Sequence, residues 1–312
     1  MEQILKVQGL TKIYGNGRKA IDNLSFSVRK GEILGFLGPN GAGKSTTINI
    51  LSTLLNADEG KIVYFDSPNE KIKQIKKNLG IVPQELAIYE DMSAFKNVEF
   101  FASLYGVAKK ELIENINMAL ESVGLLDRKD DLPSSFSGGM KRRLNIACAI
   151  AHNPKLIIFD EPTVGIDPQS RNHILDSILK LRDRGATVIY TTHYMEEVQA
   201  ICDQVLIMDA GNILIEGPMN DVLSKFNQEL KYEIMIAGSH SEAIFTEISN
   251  LSGIIEAKFE NEILFISITD ALELGTILVL LIDKGLTILD VRKKESSLEE
   301  IFLSLTGKDL RD

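Results

Sequence analysis

The stretch GPNGAGKST at residues 38–46 decides how the rest of the chain is interpreted. It follows the apolar run GEILGFL (31–37), typical of a buried strand, and it opens onto a helical pattern. The spacing G-x-x-x-x-G-K-[ST] between a strand and a helix is that of a phosphate-binding loop. The residues that we assign to phosphate binding are Gly38, Pro39, Asn40, Gly41, Ala42, Gly43, Lys44, Ser45 and Thr46.

The chemistry of this loop follows from its residue types. Glycines allow backbone N–H groups to surround the phosphates of a nucleotide. We expect Lys44 to reach the terminal phosphates and the Ser45 hydroxyl to bind Mg²⁺. A glycine-rich turn with an exposed lysine is the alternative, and the flanking strand and helix argue against it.

A second apolar run, LIIFDE (156–161), ends in two adjacent carboxylates. Successive residues of a strand point to opposite sides, so Asp160 and Glu161 cannot share one role. We expect Asp160 to hold Mg²⁺ through water and Glu161 to act as the general base on an attacking water. Without the phosphate loop, a solvated acidic strand end would explain them equally well.

Composition narrows the class of protein. The 312 residues leave room for roughly two domains, and the net charge of −10 argues against broad electrostatic binding to nucleic acid. The two cysteines, Cys148 and Cys202, lie far apart and are interpreted as reduced core residues. No secretory pattern opens the chain, and its longest apolar runs are too short to cross a bilayer.

The order of the elements predicts two folds in succession. Apolar strand-like runs alternate with amphipathic helical patterns in the first two thirds, which favours an α/β domain with a parallel core sheet. The pattern 168–184 is one predicted helix, and Pro168 suits its first turn. After residues 211–226 the order becomes strand, helix, strand, strand, helix, strand, which predicts a small α+β domain of ferredoxin-like type.

The segment SSFSGGMKRR (134–143) adds a second anion-binding pattern. Ser137, Gly138 and Gly139 form a turn that opens onto an amphipathic helix, and a helix N-terminus attracts anions. A chain with one nucleotide site has no evident use for a second such helix start.

Taken together, the motifs resemble those of the ATPase subunits of ATP-binding cassette (ABC) transporters over about residues 4–220. The phosphate loop, SGG (137–139), LIIFDEPT (156–163), GIDP (165–168) and TTHYMEE (191–197) stand in that family's order. The resemblance implies an ATPase that binds ATP and Mg²⁺, with a core parallel sheet, an antiparallel β subdomain and a helical subdomain at about 85–153. It places the ATPase domain at 1–222 and a C-terminal regulatory or docking domain at 223–312.

The resemblance also implies roles for residues that carry no clear signal alone. Tyr14 in KIYG matches the aromatic residue that stacks on adenine, and Gln84 in VPQE matches the glutamine that contacts Mg²⁺ and the attacking water. His193 matches the histidine that contacts the γ-phosphate, and Asp167 the aspartate that communicates across an ATPase pair. Judged singly, each would pass as an ordinary strand, loop or turn residue.

In this family two ATPase domains pack head to tail, which gives the second helix start a use. The resemblance implies that Ser137, Gly138 and Gly139 of one subunit cap the γ-phosphate held on Lys44 of the other. This chain departs from the common Leu-Ser-Gly-Gly-Gln pattern with Phe136 and Met140. Phe136 keeps an apolar anchor, whereas Met140 lacks the strong polar group of a glutamine. We expect the site to be tuned and still active.

The implied partners are a second ATPase subunit and a separate membrane permease of about six spans. The segment 82–107 resembles the part that receives a permease, and SLEEIFLSLTG (297–307) resembles the drug-resistance and antibiotic-efflux group. That implies export at the cytoplasmic face of the cell membrane, with no nucleic-acid partner. The alternative is a soluble ABC ATPase of the repair or translation type, which usually has two cassettes, a coiled-coil insertion or zinc modules.

Overall fold

The computed structural model describes residues 2–68, 70–226, 230–237, 242–269, 271–294 and 297–307. By contacts the chain divides into two compact units. The first runs to Met219 and includes the stretch from Phe302, and the second is Asn220–Ile301. The domain limits expected from the sequence, 1–222 and 223–312, stay a prediction.

The first unit contains strands and helices in alternation. Its strands are β1 (Gln3–Ile13), β2 (Lys19–Arg29), β3 (Ile33–Leu37), β4 (Glu59–Tyr64), β5 (Leu79–Val82), β6 (Leu156–Asp160), β7 (Thr187–Thr191), β8 (Gln204–Asp209) and β9 (Asn212–Pro218). Its helices are α1 (Lys44–Leu51), α2 (Ile72–Lys77), α3 (Ala94–Leu104), α4 (Lys109–Ser122), α5 (Gly138–Ile150), α6 (Pro168–Asp183) and α7 (Met195–Ile201), and α8 (Met219–Phe226) follows.

A six-stranded sheet of order β5-β6-β7-β3-β8-β9 forms the centre of this unit. All of its neighbouring pairs are parallel except β8 and β9. Strands β3 (ILGFL) and β7 (TVIYT) are buried along their whole length because a parallel sheet is covered on both faces, and this explains why most of their residues are apolar. In register, Phe36 and Asp160 both lie opposite Thr191. The loops that follow β3, β6 and β7 therefore meet at one edge.

A three-stranded antiparallel sheet of order β2-β1-β4 packs against this centre. Leu5, Leu24 and Phe26 from it share one apolar core with Phe36 and Ile189 of the parallel sheet. The Phe26 and Phe36 rings lie 5.8 Å apart. The turn between β1 and β2 therefore comes to rest next to the phosphate loop.

Helices α3, α4 and α5 of the first unit pack against one another. Ser93 caps α3, where its hydroxyl accepts a hydrogen bond from the backbone N–H of Lys96 at 3.3 Å. The predicted helix at 168–184 is found as α6, with Pro168 in its first turn and Asp167 as its cap.

The second unit has the predicted ferredoxin-like order. It comprises β10 (Leu230–Ala237), α9 (Glu242–Ser249), β11 (Ile254–Glu260), β12 (Ile263–Ile268), α10 (Ala271–Asp283) and β13 (Thr287–Lys294), and α11 (Leu298–Thr306) follows. The four strands form an antiparallel sheet of order β11-β12-β10-β13. Because β12 lies between β10 and β11, this is a split β-α-β arrangement. A separate apolar core includes Ile234, Ile266 and Ile277.

The composition led to two expectations, one about the cysteines and one about membrane-spanning segments. Cys148 and Cys202 are both free and buried, as expected for reduced core residues. In the part of the chain that the structure describes, no helix combines the length and the apolar character needed to cross a membrane.

Candidate functional site

A cavity of about 320 Å³ lies at the edge where the loops after β3 and β6 meet. It unites the phosphate loop, the acidic strand end and two loops from elsewhere in the first unit. Its lining consists of Tyr14, Arg18, Ala20, Asn40, Gly41, Gly43, Lys44, Ser45, Thr46, Gln84, Asp160 and Glu161. Residues that the sequence placed in four separate motifs therefore surround one space.

The phosphate loop depends on glycine at two points. Gly43, directly before α1, has a φ of 110°, and a Cβ there would lie 2.5 Å from the carbonyl oxygen of Ala20. A Cβ on Gly38 would collide with the backbone of Met208 on β8. Only glycine fits both positions, so the loop can wrap closely around a ligand at the start of α1.

Lys44 lies at the base of the cavity. Its Nζ donates hydrogen bonds to the carbonyl oxygens of Gly38, at 2.5 Å, and Pro39, at 3.1 Å. Burial lowers the pKa of this ammonium group, while the charges of Glu161 and Asp160 oppose that shift. The loop thus places a cation in the cavity where we expect phosphate to bind.

Thr191, at the end of β7, connects the two carboxylates and was not singled out from the sequence. Its hydroxyl donates to Oδ1 of Asp160 at 2.8 Å and accepts from the backbone N–H of Glu161 at 3.1 Å. Glu161 has a φ of 47°, an unusual conformation for a residue with a Cβ. This turn separates the two carboxylates, so that Asp160 completes the strand and Glu161 leaves it.

His193 lies beside the proposed base. Its Nδ1 is 3.4 Å from Oε2 of Glu161. The His193 side chain is 27% exposed and the Glu161 side chain is 21% exposed. The histidine expected at the γ-phosphate and the glutamate expected to activate water are therefore neighbours.

The β1–β2 turn contributes the outer wall of the cavity. Tyr14 is 39% exposed, and its hydroxyl lies 3.1 Å from Oγ1 of Thr46. Arg18, which the sequence did not single out, donates to the carbonyl oxygen of Gly41 at 3.4 Å. The signal in the sequence that could have indicated Arg18 is its position, as a basic residue four places after the aromatic Tyr14.

Gln84 follows β5 and lines the same cavity. Its backbone is held by Arg142 of α5, whose guanidinium donates to the carbonyl oxygens of Pro83, at 2.8 Å, and Gln84. Arg142 is only 5% exposed although it belongs to the basic run KRR (141–143). It joins the loop of Gln84 to the helix that begins with SGG.

The SGG segment (137–139) and Asp167 lie close to each other, outside the lining of this cavity. Ser137 caps α5 by accepting from the backbone N–H of Met140 at 3.3 Å. Asp167 caps α6 by accepting from the backbone N–H of Ser170 at 2.9 Å. A Cβ on Gly139 would collide with the Ser170 side chain, so the two helix starts are in close contact. As far as the described residues go, Ser137, Gly138, Gly139 and Asp167 do not line the nucleotide cavity.

The cavity has the donors that ATP and Mg²⁺ need. A glycine-rich backbone cradle and Lys44 suit phosphates, and the hydroxyl of Ser45 and the side-chain oxygens of Gln84 and Asp160 line the same space. Oxygen donors are the ligands that Mg²⁺ prefers, and it is usually held by one or two carboxylates together with phosphate oxygens. The residues present therefore fit both groups.

Comparison with known proteins supports the same interpretation. A family model described as ABC transporter matches residues 21–164. The linearmycin resistance ATP-binding protein of Bacillus subtilis (strain 168) is 40% identical over 99% of this chain and 100% of the relative. The Nod factor export ATP-binding protein I of Cupriavidus metallidurans is 32% identical over 100% of both chains. Among solved structures, cbiO1 from Clostridium perfringens, part of the ABC transporter complex cbiONQ, has a TM-score of 0.65 at 29% identity, over 73% of this chain and 95% of that one.

Proposed function

The chain belongs to the ABC transporter family as an ATP-binding subunit, and we propose that its ATP hydrolysis powers export through a separate permease. Two relatives that cover essentially the whole chain are named for linearmycin resistance and for Nod factor export. The proposed cargo is therefore a drug, an antibiotic or another amphiphile. These relatives favour transport over a repair or translation ATPase.

One observation carries the proposal: a single cavity is lined by the phosphate loop together with Gln84, Asp160 and Glu161. In the proposed mechanism Lys44 leaves the carbonyl oxygens of Gly38 and Pro39 and binds the terminal phosphates of ATP. Ser45, Gln84 and Asp160 would hold Mg²⁺, which when bound would neutralise the charge that develops on the phosphates.

Glu161 is the proposed general base. Its carboxylate accepts a proton from water as that water attacks the γ-phosphate, and Gln84 orients the same water. The bond between the γ-phosphorus and the bridging oxygen breaks, and ADP leaves with that oxygen. His193, 3.4 Å from Glu161, contacts the γ-phosphate. Tyr14 stacks on the adenine ring at the exposed rim of the cavity.

We propose a working pair of ATPase subunits, either two copies of this chain or one copy and a related chain. Ser137, Gly138 and Gly139 lie outside their own chain's cavity, so that they are available to cap the γ-phosphate of the other subunit. The N-terminus of α5 offers the positive end of a helix dipole to that phosphate. Asp167, beside them, communicates between the two sites.

Glu161→Gln tests the assignment of the base. We expect the rate of ATP hydrolysis to fall about a thousandfold, because an amide cannot accept the proton, while ATP binding persists. The ATP-bound pair should then accumulate and be detectable by size-exclusion chromatography. A matched substitution, Glu85→Gln, changes an exposed carboxylate near Gln84 and should leave the rate unchanged. A rate unaffected by Glu161→Gln would contradict the assignment.

An apolar groove of about 640 Å³ is the proposed docking place for the permease. Its wall includes exposed aliphatic residues, Leu54 (69%), Ile72 (63%) and Leu104 (66%), and Lys73, Lys76 and Lys77 also line it. Such exposed apolar surface is typical of sites that receive a partner helix. The groove also includes Ile81 of β5, the strand that leads directly to Gln84, so an occupant can act on the site.

Leu104→Glu tests this docking. Since Leu104 is largely exposed, the fold should tolerate the change, while a charge in the groove should abolish co-purification with the proposed permease. The matched control is Ile113→Glu, an equally exposed aliphatic residue (61%) on α4 that does not line the groove. Equal loss of co-purification in both variants would contradict the docking site.

The remaining organisation is proposed on the same basis. The ATPase domain is taken as residues 1–222, with a helical subdomain at about 85–153, and the regulatory or docking domain as 223–312. Through the permease the chain would act at the cytoplasmic face of the cell membrane. The permease is proposed to have about six spans.

A further inference from the structure

Glu197, on α7, is a carboxylate buried almost completely, with 3% of its surface exposed. A buried charge is costly unless hydrogen bonds satisfy it. Here Oε2 accepts three hydroxyl hydrogen bonds, from Tyr190 at 2.7 Å, Thr192 at 2.9 Å and Thr163 at 3.0 Å. These three hydroxyl donors are themselves buried.

A cation faces the other carboxylate oxygen. Oε1 of Glu197 lies 3.4 Å from Nε of Arg171, on α6. The guanidinium group of Arg171 in turn lies 4.3 Å above the Tyr194 ring. The negative charge is therefore balanced without contact with the nucleotide cavity.

Two of the three hydroxyls belong to the segments that carry the proposed catalytic side chains. Thr163 stands two residues after Glu161, and Thr192 stands directly before His193. The Thr192 hydroxyl also accepts from the backbone N–H of Tyr194 at 3.0 Å, so both neighbours of His193 are fixed. Glu197 thus holds the segment after β6 and the segment after β7 with a single oxygen atom.

We propose that Glu197 is a positioning residue for ATP hydrolysis. By fixing Thr163 and Thr192 it sets the distance between Glu161 and His193. A displacement of about 1 Å in such an arrangement can reduce a rate about a hundredfold. The inference rests on the proposed roles of Glu161 and His193, and it concerns residues that do not line the nucleotide cavity.

A pair of substitutions at Thr192 separates positioning from packing. Thr192→Val keeps the volume and removes the hydroxyl, whereas Thr192→Ser keeps the hydroxyl and removes a methyl group. We expect kcat to fall about tenfold in the valine variant and to stay within about twofold in the serine variant. KM for ATP should change less than about twofold in both, because Thr192 does not line the cavity. Glu197→Gln should lower kcat in the same way as Thr192→Val.

Tyr64→Phe is the control for general loss of a buried hydrogen bond. The Tyr64 hydroxyl donates to the carbonyl oxygen of Leu51 at 2.9 Å, the same distance as between Thr192 and Glu197, and neither Tyr64 nor Leu51 lines the cavity. It should lower the melting temperature and leave kcat unchanged. All rates are measured on the full chain, well below the melting temperature of each variant.

Three results would overturn the proposal. One is an unchanged kcat in Thr192→Val, and another is a serine variant as slow as the valine variant, which would indicate packing alone. The third is a drop in kcat in Tyr64→Phe equal to that in Thr192→Val. Glu161→Gln is measured in parallel to separate a failure of the positioning proposal from a failure of the proposed function. If this variant still hydrolyses ATP at the normal rate, the assignment of Glu161 as the base is wrong.

Discussion

The first unit contains two helix N-termini suited to anions, and their surroundings differ. At the start of α1, Lys44 bonds to carbonyls of its own loop and lies within the field of Asp160 and Glu161. At the start of α5, Ser137 is the cap and Gly138 is exposed, with open space around a Cβ placed there. One helix start is built into a cavity with a cation, a base and oxygen donors, whereas the other is presented at a surface.

This difference shows that anion binding by a helix start is not enough to define a site. The α1 start shares one cavity with Gln84, Asp160 and Glu161 of its own chain. The α5 start offers a hydroxyl and N–H groups, and it contacts α6 through Gly139 and Ser170. It is thus half of an arrangement, and the proposed pair supplies the other half.

Substitutions at the two helix starts should give the largest effects, and they should change different quantities: ATP affinity at α1 and the hydrolysis rate at α5. Lys44→Ala should weaken ATP binding to the isolated chain about a hundredfold, because a charge-assisted phosphate contact is lost. Gly138→Asp should leave that affinity unchanged and reduce hydrolysis about a hundredfold, because a carboxylate repels the γ-phosphate. Its melting temperature should not fall, since an acidic residue suits a helix N-terminus. Fluorescent nucleotide titration, ATPase assays and thermal melts measure these effects. Weakened ATP binding to isolated Gly138→Asp chains would contradict the comparison.

Mixing the two variants sharpens the comparison. If each cavity needs the α5 start of the other subunit, a Lys44→Ala chain paired with a Gly138→Asp chain retains one intact site. Random pairing puts half of the chains in such pairs, so the mixture should recover about a quarter of the wild-type rate. The rates of each variant alone are the control. No recovery in a mixture shown to form mixed pairs would indicate that both helix starts serve the same chain.

The smallest effect concerns Met140. In the structure its backbone N–H, and not its side chain, makes the contact with Ser137. Met140→Gln keeps that bond, so we expect hydrolysis to change less than about threefold. Steady-state ATPase rates of the pair measure it, with Met118→Gln on α4, also partly exposed, as the control for an added amide. A tenfold change would show that the glutamine of the common pattern makes a contact of its own.

Much of the site could be predicted because its motifs are tied to local structure. The phosphate loop follows the buried strand β3, LIIFDE contains the buried strand β6 and ends just beyond it, and parallel strands bring their ends to one edge. The ferredoxin-like order of the second unit was likewise predictable from alternating strand and helix patterns. In such cases the periodicity of a segment and its place in the chain order are enough.

The residues that sequence reasoning missed act across long separations. Arg142 and Gln84 are 58 residues apart, and the hydroxyl of Thr163 is 34 residues from Glu197. In the sequence, Arg142 belongs to a basic run and Glu197 to an acidic pair, both typical of solvated helix faces. Which face of a helix becomes buried depends on the packing of α5 and α7, and no local pattern at these positions indicates it.

The bond from Arg142 to the backbone of Gln84 has a consequence for timing. In the proposed pair each chain would contribute to two ATP sites, with Gln84 at its own and the start of α5 at its neighbour's. Because one buried guanidinium joins the two segments, a movement of either segment is transmitted to the other. A single displacement in one subunit would then affect both bound nucleotides, so that the two ATP sites would change at the same time.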